Sequence, residues 1–118
     1  MTLPPDTHTN LPLSEQTFYI LLSLLPQPRH GYAILKDIQQ LSDGRLLISV
    51  STLYTSLKRL LEQGWIERAE LKKQDEKIGR PRKQYKLTHT GRSFLIAEAK
   101  RLQMLIQVAN QRLPQETI

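Results

Sequence analysis

Cysteine is absent from this 118-residue sequence, aromatic residues are scarce and no long hydrophobic run occurs. Without cysteine the chain forms no disulfide, carries no thiol switch and offers no thiolate to a metal or a substrate. With only 6% aromatic residues, its core must consist mainly of Leu and Ile. No segment approaches the roughly 20 apolar residues of a membrane-spanning helix, and the first residues lack the pattern of a signal peptide. We therefore expect a one-domain cytoplasmic protein without a membrane partner.

The groups that catalysis requires are equally scarce. The three histidines, His8, His30 and His89, lie in a predicted arm, a turn and a helix start. No set of His and carboxylate residues has the spacing of a metal site, and no glycine-rich phosphate loop precedes a helix. Asp75 and Glu76 lie at a predicted loop tip, which is a poor place to hold a proton-transfer geometry. We expect no enzyme activity, no metal and no cofactor.

Positive charge is present in excess, and it is concentrated. The net charge is +6, and residues 72–86 contain seven cations against two anions, a net charge of +5. Clustered cations suit phosphate contacts, because each neutralised phosphate releases counterions. The alternative is a solvated loop that only improves solubility. The Arg80-Pro81-Arg82-Lys83 sequence favours nucleic acid, since Arg at such a tip can enter a minor groove.

Residues 49–64 carry the clearest helical pattern of the chain. The apolar positions recur at helical spacing, with Tyr54 beside them: Val50, Leu53, Leu57, Leu60 and Leu61. Ser49 is the predicted N-cap and Gly64 the predicted stop. The opposite face carries hydroxyls followed by cations: Ser51, Thr52, Thr55, Ser56, Lys58 and Arg59. Such a face suits the bases and phosphates of a DNA major groove, although an ordinary surface helix has the same pattern.

The pattern before this helix predicts an arm, two further helices and a short strand. Residues 1–13 contain three prolines and predict a flexible arm, either a disordered tail or a segment that embraces a partner subunit. A first helix begins after the N-cap Ser14 and is apolar on nearly every side, so part of it is expected to meet another chain. His30-Gly31-Tyr32 opens a second helix, whose apolar stripe is Tyr32, Ile34, Leu35, Ile38 and Leu41. Residues 46–48 are predicted to form a single strand.

The pattern after residue 64 predicts a hairpin and one long helix. Residues 65–71 and 84–88 favour half-exposed strands, with a basic tip over residues 72–83. The last helix is predicted from the N-cap Thr88 to about residue 113. Its apolar residues form a heptad seam: Leu95, Ala99, Leu102, Ile106, Ala109 and Leu113. The seam predicts pairing with a symmetry mate, and packing on the same domain is the alternative.

Together these elements predict a mostly α fold with a small β-hairpin. The order is that of a winged helix-turn-helix (residues 14–88) with a long C-terminal dimerisation helix (89–113), between an arm (1–13) and a tail (114–118). In this order the sequence resembles the PadR family of bacterial transcriptional regulators. The resemblance rests on matching residues in the second helix, the third helix and the hairpin: His30-Gly31-Tyr32, Ser51-Thr52-Leu53-Tyr54, Leu57-Lys58-Arg59-Leu60, Gly64, Ile66, Tyr85-Lys86-Leu87-Thr88 and Gly91.

The resemblance implies a homodimeric, sequence-specific repressor of the short PadR subfamily. Such a protein binds double-stranded DNA and is found in the cytoplasm, associated with the nucleoid. Family members are often released from DNA by small molecules such as phenolic acids or drugs, and a protein effector is the alternative that the resemblance leaves open. Two features depart from the pattern. Ser51 and Thr55 stand where the family often has Gly and Pro. The last helix contains Phe94 but lacks the tryptophan on which one branch stacks aromatic ligands.

The predicted site residues fall into two groups. Those expected to contact DNA are Ser49, Ser51, Thr52, Tyr54, Thr55, Lys58, His30, Tyr32, Arg80, Arg82 and Lys83. For Tyr32 and Tyr54, packing between helices is an alternative of at least equal weight. Those expected at a dimer interface are Phe18, Leu21, Leu22, Leu95, Ala99, Leu102, Ile106, Ala109 and Leu113. The competing function is a small helical module that binds protein partners through its last helix.

Overall fold

The computed structural model describes residues 11–69 and 83–114. These residues form four helices and three short strands. In chain order they are α1 (Glu15–Leu24), β1 (Arg29–His30), α2 (Gly31–Leu41), α3 (Val50–Gln63), β2 (Ile66–Ala69), β3 (Gln84–Leu87) and α4 (His89–Arg112). This is the predicted fold: a winged helix-turn-helix followed by a long last helix.

Short polar side chains cap three of the helices, as the sequence predicts. The hydroxyl oxygens of Ser14, Ser49 and Thr88 accept hydrogen bonds from the backbone N–H three residues later, at 3.1, 3.1 and 3.0 Å. Each bond satisfies a backbone donor that the first helical turn leaves unpaired. At the other end of α3, Gly64 takes the left-handed conformation, with φ of 76°. These local contacts determine the residue at which each of the three helices begins and the residue at which α3 ends.

The hydrophobic core lies where α1 packs against α2, α4 and β3, and where α3 packs against α2 and β2. Its fully buried members are mostly aliphatic: Ile20, Leu21, Leu24, Ile34, Ile38, Leu53, Leu57, Leu60 and Ile66. Two aromatic rings close one end, where Trp65 stacks on Phe94 with ring centroids 4.2 Å apart. Trp65 and Phe94 therefore belong to the chain's own core.

The sheet is antiparallel with strand order β1-β3-β2. The predicted strand at residues 46–48 is wrong, because those residues form an irregular link. The edge of β3 is occupied instead by Arg29 and His30, which pair with Tyr85 and Gln84. Arg29 is held there by its side chain, whose Nε donates to the carbonyl oxygen of Ser23 at 2.7 Å.

The last helix meets the hairpin at a glycine. A Cβ atom on Gly91 would lie 2.0 Å from the carbonyl oxygen of Trp65, so the backbone of α4 approaches the start of β2 too closely for any side chain. The hydroxyl of Thr88 reinforces the junction by donating to the carbonyl oxygen of Gly64 at 2.7 Å. The base of the hairpin and the first turn of α4 are therefore tightly joined.

Candidate nucleic-acid interface

Helix α3 separates its two faces sharply. Leu53, Leu57 and Leu60 are at most 1% exposed and anchor the helix in the core. The opposite side is open to solvent. We call it the outer face of α3, formed by Ser51, Thr52, Thr55 and Lys58. Three hydroxyls and one ammonium thus share one surface, which can accept and donate hydrogen bonds to base edges and meet a phosphate.

The hydroxyls of this region are partly committed to the helix itself. Thr55 donates its Oγ1–H to the carbonyl oxygen of Ser51 at 2.9 Å. Ser49 lies 2.8 Å from Thr52 Oγ1 and donates to it. The bond to the Ser51 carbonyl uses the hydroxyl hydrogen of Thr55, whereas the Ser49 oxygen both donates to Thr52 Oγ1 and accepts from the Thr52 backbone N–H. In this arrangement Thr55 acts towards a ligand as an acceptor.

Two predictions about α3 are corrected by the burial of its side chains. Val50, predicted to belong to the buried stripe, is 59% exposed. Ser56, predicted on the polar face, is buried, and Gln16 Nε2 of α1 donates to its hydroxyl oxygen. Ser56 lies three residues after Leu53 and four before Leu60, so helical geometry places it inside the apolar stripe. Its small size lets α1 approach.

The start of α2 lies beside α3. His30 is the N-cap of α2, where its Nδ1 accepts from the backbone N–H of Ala33 at 3.3 Å. Tyr32 is 61% exposed, and the Lys36 ammonium lies 4.9 Å from its ring centroid. Tyr32 therefore does not pack between helices. Leu41, predicted in the same apolar stripe, is also largely exposed.

Tyr54 packs against the first residue of α2. A Cβ on Gly31 would lie 2.5 Å from the Tyr54 hydroxyl oxygen and 2.9 Å from Cζ, so the phenol end fills the place of a side chain. This contact favours the packing interpretation of Tyr54 over a role for its hydroxyl on DNA. The bare position at Gly31 therefore sets how closely α2 and α3 approach.

Positive charge lies on β3 and directly before it. Lys83 and Lys86 are exposed, and the Lys86 ammonium lies 3.3 Å from the Glu67 carboxylate on β2. On the inner side, burial raises the pKa of the Tyr85 phenol. The predicted contacts at Arg80 and Arg82, together with the rest of the basic tip up to residue 82, lie outside the described residues.

Sequence reasoning overlooked the first turn of α1. A polar cleft lies between α1 and α3, and it extends the outer face of α3. It is lined by Ser14, Gln16, Ser51, Thr52, Thr55, Ser56 and Arg59. The guanidinium of Arg59 donates to the Thr17 hydroxyl oxygen at 3.3 Å, across the two helices. The sequence pattern identified Arg59 as a cation on the polar face of α3. Nothing in the sequence around Gln16 predicts that its side chain contacts α3.

The family of the chain follows from its sequence and fold taken together. A profile of the transcriptional regulator PadR-like family matches residues 20–97, more than half of the chain. The chain belongs to this family. A PadR family transcription regulator from Clostridium difficile is 26% identical, with a TM-score of 0.70 over 86% of this chain and 100% of that one. A PadR-like transcription factor from Bacteroides fragilis is 30% identical, with a TM-score of 0.65 over 83% and 89%.

The PadR fold also includes a structure solved with nucleic acid. Bacillus subtilis PadR, in complex with operator DNA, shares the fold with a TM-score of 0.60 and 24% identity. The alignment covers 73% of this chain and 46% of that one. A search of curated protein sequences found no match.

In this PadR-family chain the second half of α4 stands apart from the core. Large apolar side chains are exposed along it: Leu102, Met104, Leu105, Ile106, Val108 and Leu113. Two residues predicted at a dimer interface belong elsewhere, because Leu21 and Leu95 are 0% and 3% exposed in the chain's own core. Among the other predicted members, Phe18, Leu22 and Ala109 are half-buried and Ala99 is exposed. The open apolar surface is therefore broader than the predicted seam.

Two searches of the described residues complete the chemical picture. Within residues 11–69 and 83–114, His, Asp and Glu side chains nowhere gather in a group able to hold a metal ion. Over the same part of the chain, no helix has the length and apolar character needed to cross a membrane.

Proposed function

We propose that this chain is a sequence-specific regulator of transcription that binds double-stranded DNA through the outer face of α3. The observation that carries the proposal is the division of α3. Its leucines are buried, whereas Ser51, Thr52, Thr55 and Lys58 stand together in solvent. A helix held rigidly by one face and polar on the other can enter a major groove without losing core contacts. Bacillus subtilis PadR, solved with operator DNA, supports the assignment through its shared fold.

The proposal extends to the neighbouring elements. The N-terminal end of α2, at His30 and Tyr32, would meet the phosphate backbone, where a helix N-terminus favours an anion. The basic hairpin, through Arg80, Arg82 and Lys83, would contact phosphates or the minor groove beside the helix. Here α3 supplies sequence discrimination, and the surrounding cations supply affinity that depends on salt.

We propose further that the active form is a homodimer paired through α4. The exposed apolar residues beyond residue 98 support this, because so large a patch on a small monomer marks an interaction surface. Leu102, Ile106, Ala109 and Leu113 follow the heptad spacing of a helix pair. The half-buried Phe18 and Leu22 of α1 would complete the interface. Two copies of α3 would then face two half-sites of an operator.

Repression, with release by an effector, is the regulatory mode we propose for this dimer. The effector would be a small molecule or a protein that binds one form of the dimer better than the DNA-bound form. A reporter gene placed behind the native upstream region tests the sign. Deletion of the regulator should raise expression, whereas lower expression would identify an activator.

The test of DNA binding is fluorescence anisotropy with a duplex from the gene's own upstream region and a shuffled duplex, at several salt concentrations. We expect the native duplex to bind at least ~10³-fold more tightly, with a steep salt dependence. Sedimentation of the free protein should give twice the chain mass. Equal affinity for every genomic duplex would exclude a specific regulator. Failure to bind DNA at low salt would favour a module that binds proteins through α4.

A further inference from the structure

A buried carboxylate lies at the point where α4 leaves the core. Glu98 is 2% exposed, and it is the last buried residue of the helix before the apolar, exposed half begins. Removing a carboxylate from water is costly unless hydrogen bonds and an opposite charge replace the water. The hydrogen-bond partners of Glu98 therefore show which contacts its buried carboxylate maintains.

Glu98 fastens the start of α1 to α4. Its Oε2 accepts a hydrogen bond from the backbone N–H of Leu13 at 2.7 Å, joining residues that are 85 positions apart in the chain. Arg101, one turn further along α4, donates to both carboxylate oxygens. Leu13 directly precedes Ser14, the residue that caps α1. The carboxylate thus holds the first turn of α1 by its backbone.

The same turn of α1 holds α3 by its side chains. Gln16 donates its Nε2–H to the buried hydroxyl of Ser56, and the Thr17 hydroxyl accepts from the Arg59 guanidinium. Thr17 is itself tied to Ser14 through both its backbone N–H and its hydroxyl. Residues 13–17 therefore form a continuous bridge of hydrogen bonds, with Glu98 of α4 at one end and α3 at the other. We call this segment the α1 bridge.

The α1 bridge contacts α3 beside its buried stripe. The core leucines of α3 lie on one side and fix how deeply the helix sits. Contacts at the two flanks of that stripe also hold the helix against rotation about its axis. One flank is held by Tyr54 against Gly31, and the other by Ser56 and Arg59 against α1.

We propose that Glu98 is a positioning residue for DNA recognition, which acts through the α1 bridge to set the rotation of α3. This inference rests on the proposed function, since the outer face of α3 is what it orients. It assigns a role to a residue that touches no DNA and lies at the base of the helix that pairs the dimer. Pairing of α4 and reading by α3 are thereby joined through one carboxylate.

The first test replaces Glu98 by Met, a side chain of similar volume without charge. The Arg101 guanidinium is partly exposed and can turn towards water, so Glu98→Met should fold and keep its dimer, although the Leu13 N–H loses its acceptor. We expect affinity for the operator duplex to fall about tenfold, the worth of one well-made base contact. Affinity for a shuffled duplex should not fall, because losing a negative charge favours DNA binding. A general structural defect would instead weaken binding to both duplexes by similar factors.

Two further variants make the result specific. Glu62→Met removes the same charge from an exposed side chain of α3 and should leave operator preference unchanged. Thr17→Val cuts the bridge at its other end without touching Glu98, and it should reproduce the selective loss. It also carries the test if Glu98→Met does not fold. Normal operator preference in a folded Glu98→Met and in Thr17→Val would overturn the proposal.

A measurement on the free protein separates this proposal from the proposed function. In amide NMR spectra, Glu98→Met should shift the signals of Ser56, Lys58 and Arg59 as well as those near Leu13. Shifts confined to the neighbours of Glu98 would overturn the bridge whether or not the protein recognises an operator. If the wild type showed no operator preference but the α3 signals shifted, the proposed function would fail while the bridge stood.

Discussion

Two helices of this protein present exposed faces of opposite character. The outer face of α3 carries hydroxyls and an ammonium, whereas α4 beyond residue 98 exposes six large apolar side chains. Water satisfies the hydrogen-bonding groups on the outer face of α3 when no partner is bound. A partner of that face must therefore offer polar groups that match them. Water cannot satisfy the exposed apolar surface of α4, so burial against another apolar surface lowers the free energy by itself. The difference agrees with the two proposed partners, a DNA duplex for α3 and a second chain for α4.

The largest effect is expected from placing charge on the apolar surface. Leu102→Asp buries a carboxylate in the proposed helix pair and should convert the dimer to a monomer, as measured by sedimentation. Operator affinity should fall by roughly 10²–10⁴-fold, since two half-sites are no longer bound together. Gln103→Asp, on the polar side of the same turn, is the control and should remain dimeric. A monomeric Leu102→Asp protein with full operator affinity would contradict the paired helices.

The inner side of α3 should matter to stability where the outer side does not. Leu57→Ala removes a side chain that is 1% exposed and should lower the free energy of unfolding by about 3 kcal/mol. Thr55→Ala changes an exposed residue of the same helix and should leave it within about 0.5 kcal/mol. Urea denaturation measures both. Equal losses would show that the two faces are not separated as described.

A single cation of the outer face should change the salt dependence more than the specificity. Lys58→Ala should weaken the native and shuffled duplexes by similar factors and lower the salt slope by about one unit. Lys100→Ala removes the same charge from the polar side of α4 and serves as the control. If Lys100→Ala reduced the slope equally, Lys58 would act only through net charge.

The smallest effect is expected from an exposed ion pair that links α1 to the loop before α3. A side-chain hydrogen bond from Arg45 holds the pKa of Glu15 below its ordinary value of 4.5. A carboxyl group whose pKa is lowered in the folded state adds stability at pH values above its ordinary pKa. That contribution is lost as the pH falls through the folded-state pKa. Arg45→Gln should therefore flatten the acid side of the stability profile. An unchanged profile of unfolding midpoints would show that solvent screens the pair completely.

Helix boundaries could be predicted because the contacts that set them are local. Ser14, Ser49 and Thr88 each bind a backbone N–H three residues away, and Gly64 needs only its own backbone freedom. Such signals are complete within one turn of sequence. The fold class followed from their order.

The errors concern features decided by distant residues. Strand β1 has two residues, too few to show the alternating apolar and polar pattern of a strand. It forms because β3 offers an edge for pairing and because Ser23 and Asp37 bind the Arg29 side chain. Ser56 is polar yet lies inside the apolar stripe, and the donor that satisfies its buried hydroxyl is Gln16, 40 positions earlier. Glu98, which no sequence pattern singles out, is likewise buried through a distant contact, the backbone N–H of Leu13 85 positions earlier. The contacts of individual side chains with DNA stay predictions from the sequence.

The close junction at Gly91 has a consequence for operator geometry. Because the hairpin base and the first turn of α4 are joined there, the position of each hairpin in the proposed homodimer follows the position of its α4. Its crossing with the partner copy sets the distance between the two hairpins, and hence the spacing of the half-sites that both can reach. Sliding the pairing by one heptad moves the hairpins by about 10 Å. That displacement is roughly three base pairs of DNA, so residues far from any base select which operators fit.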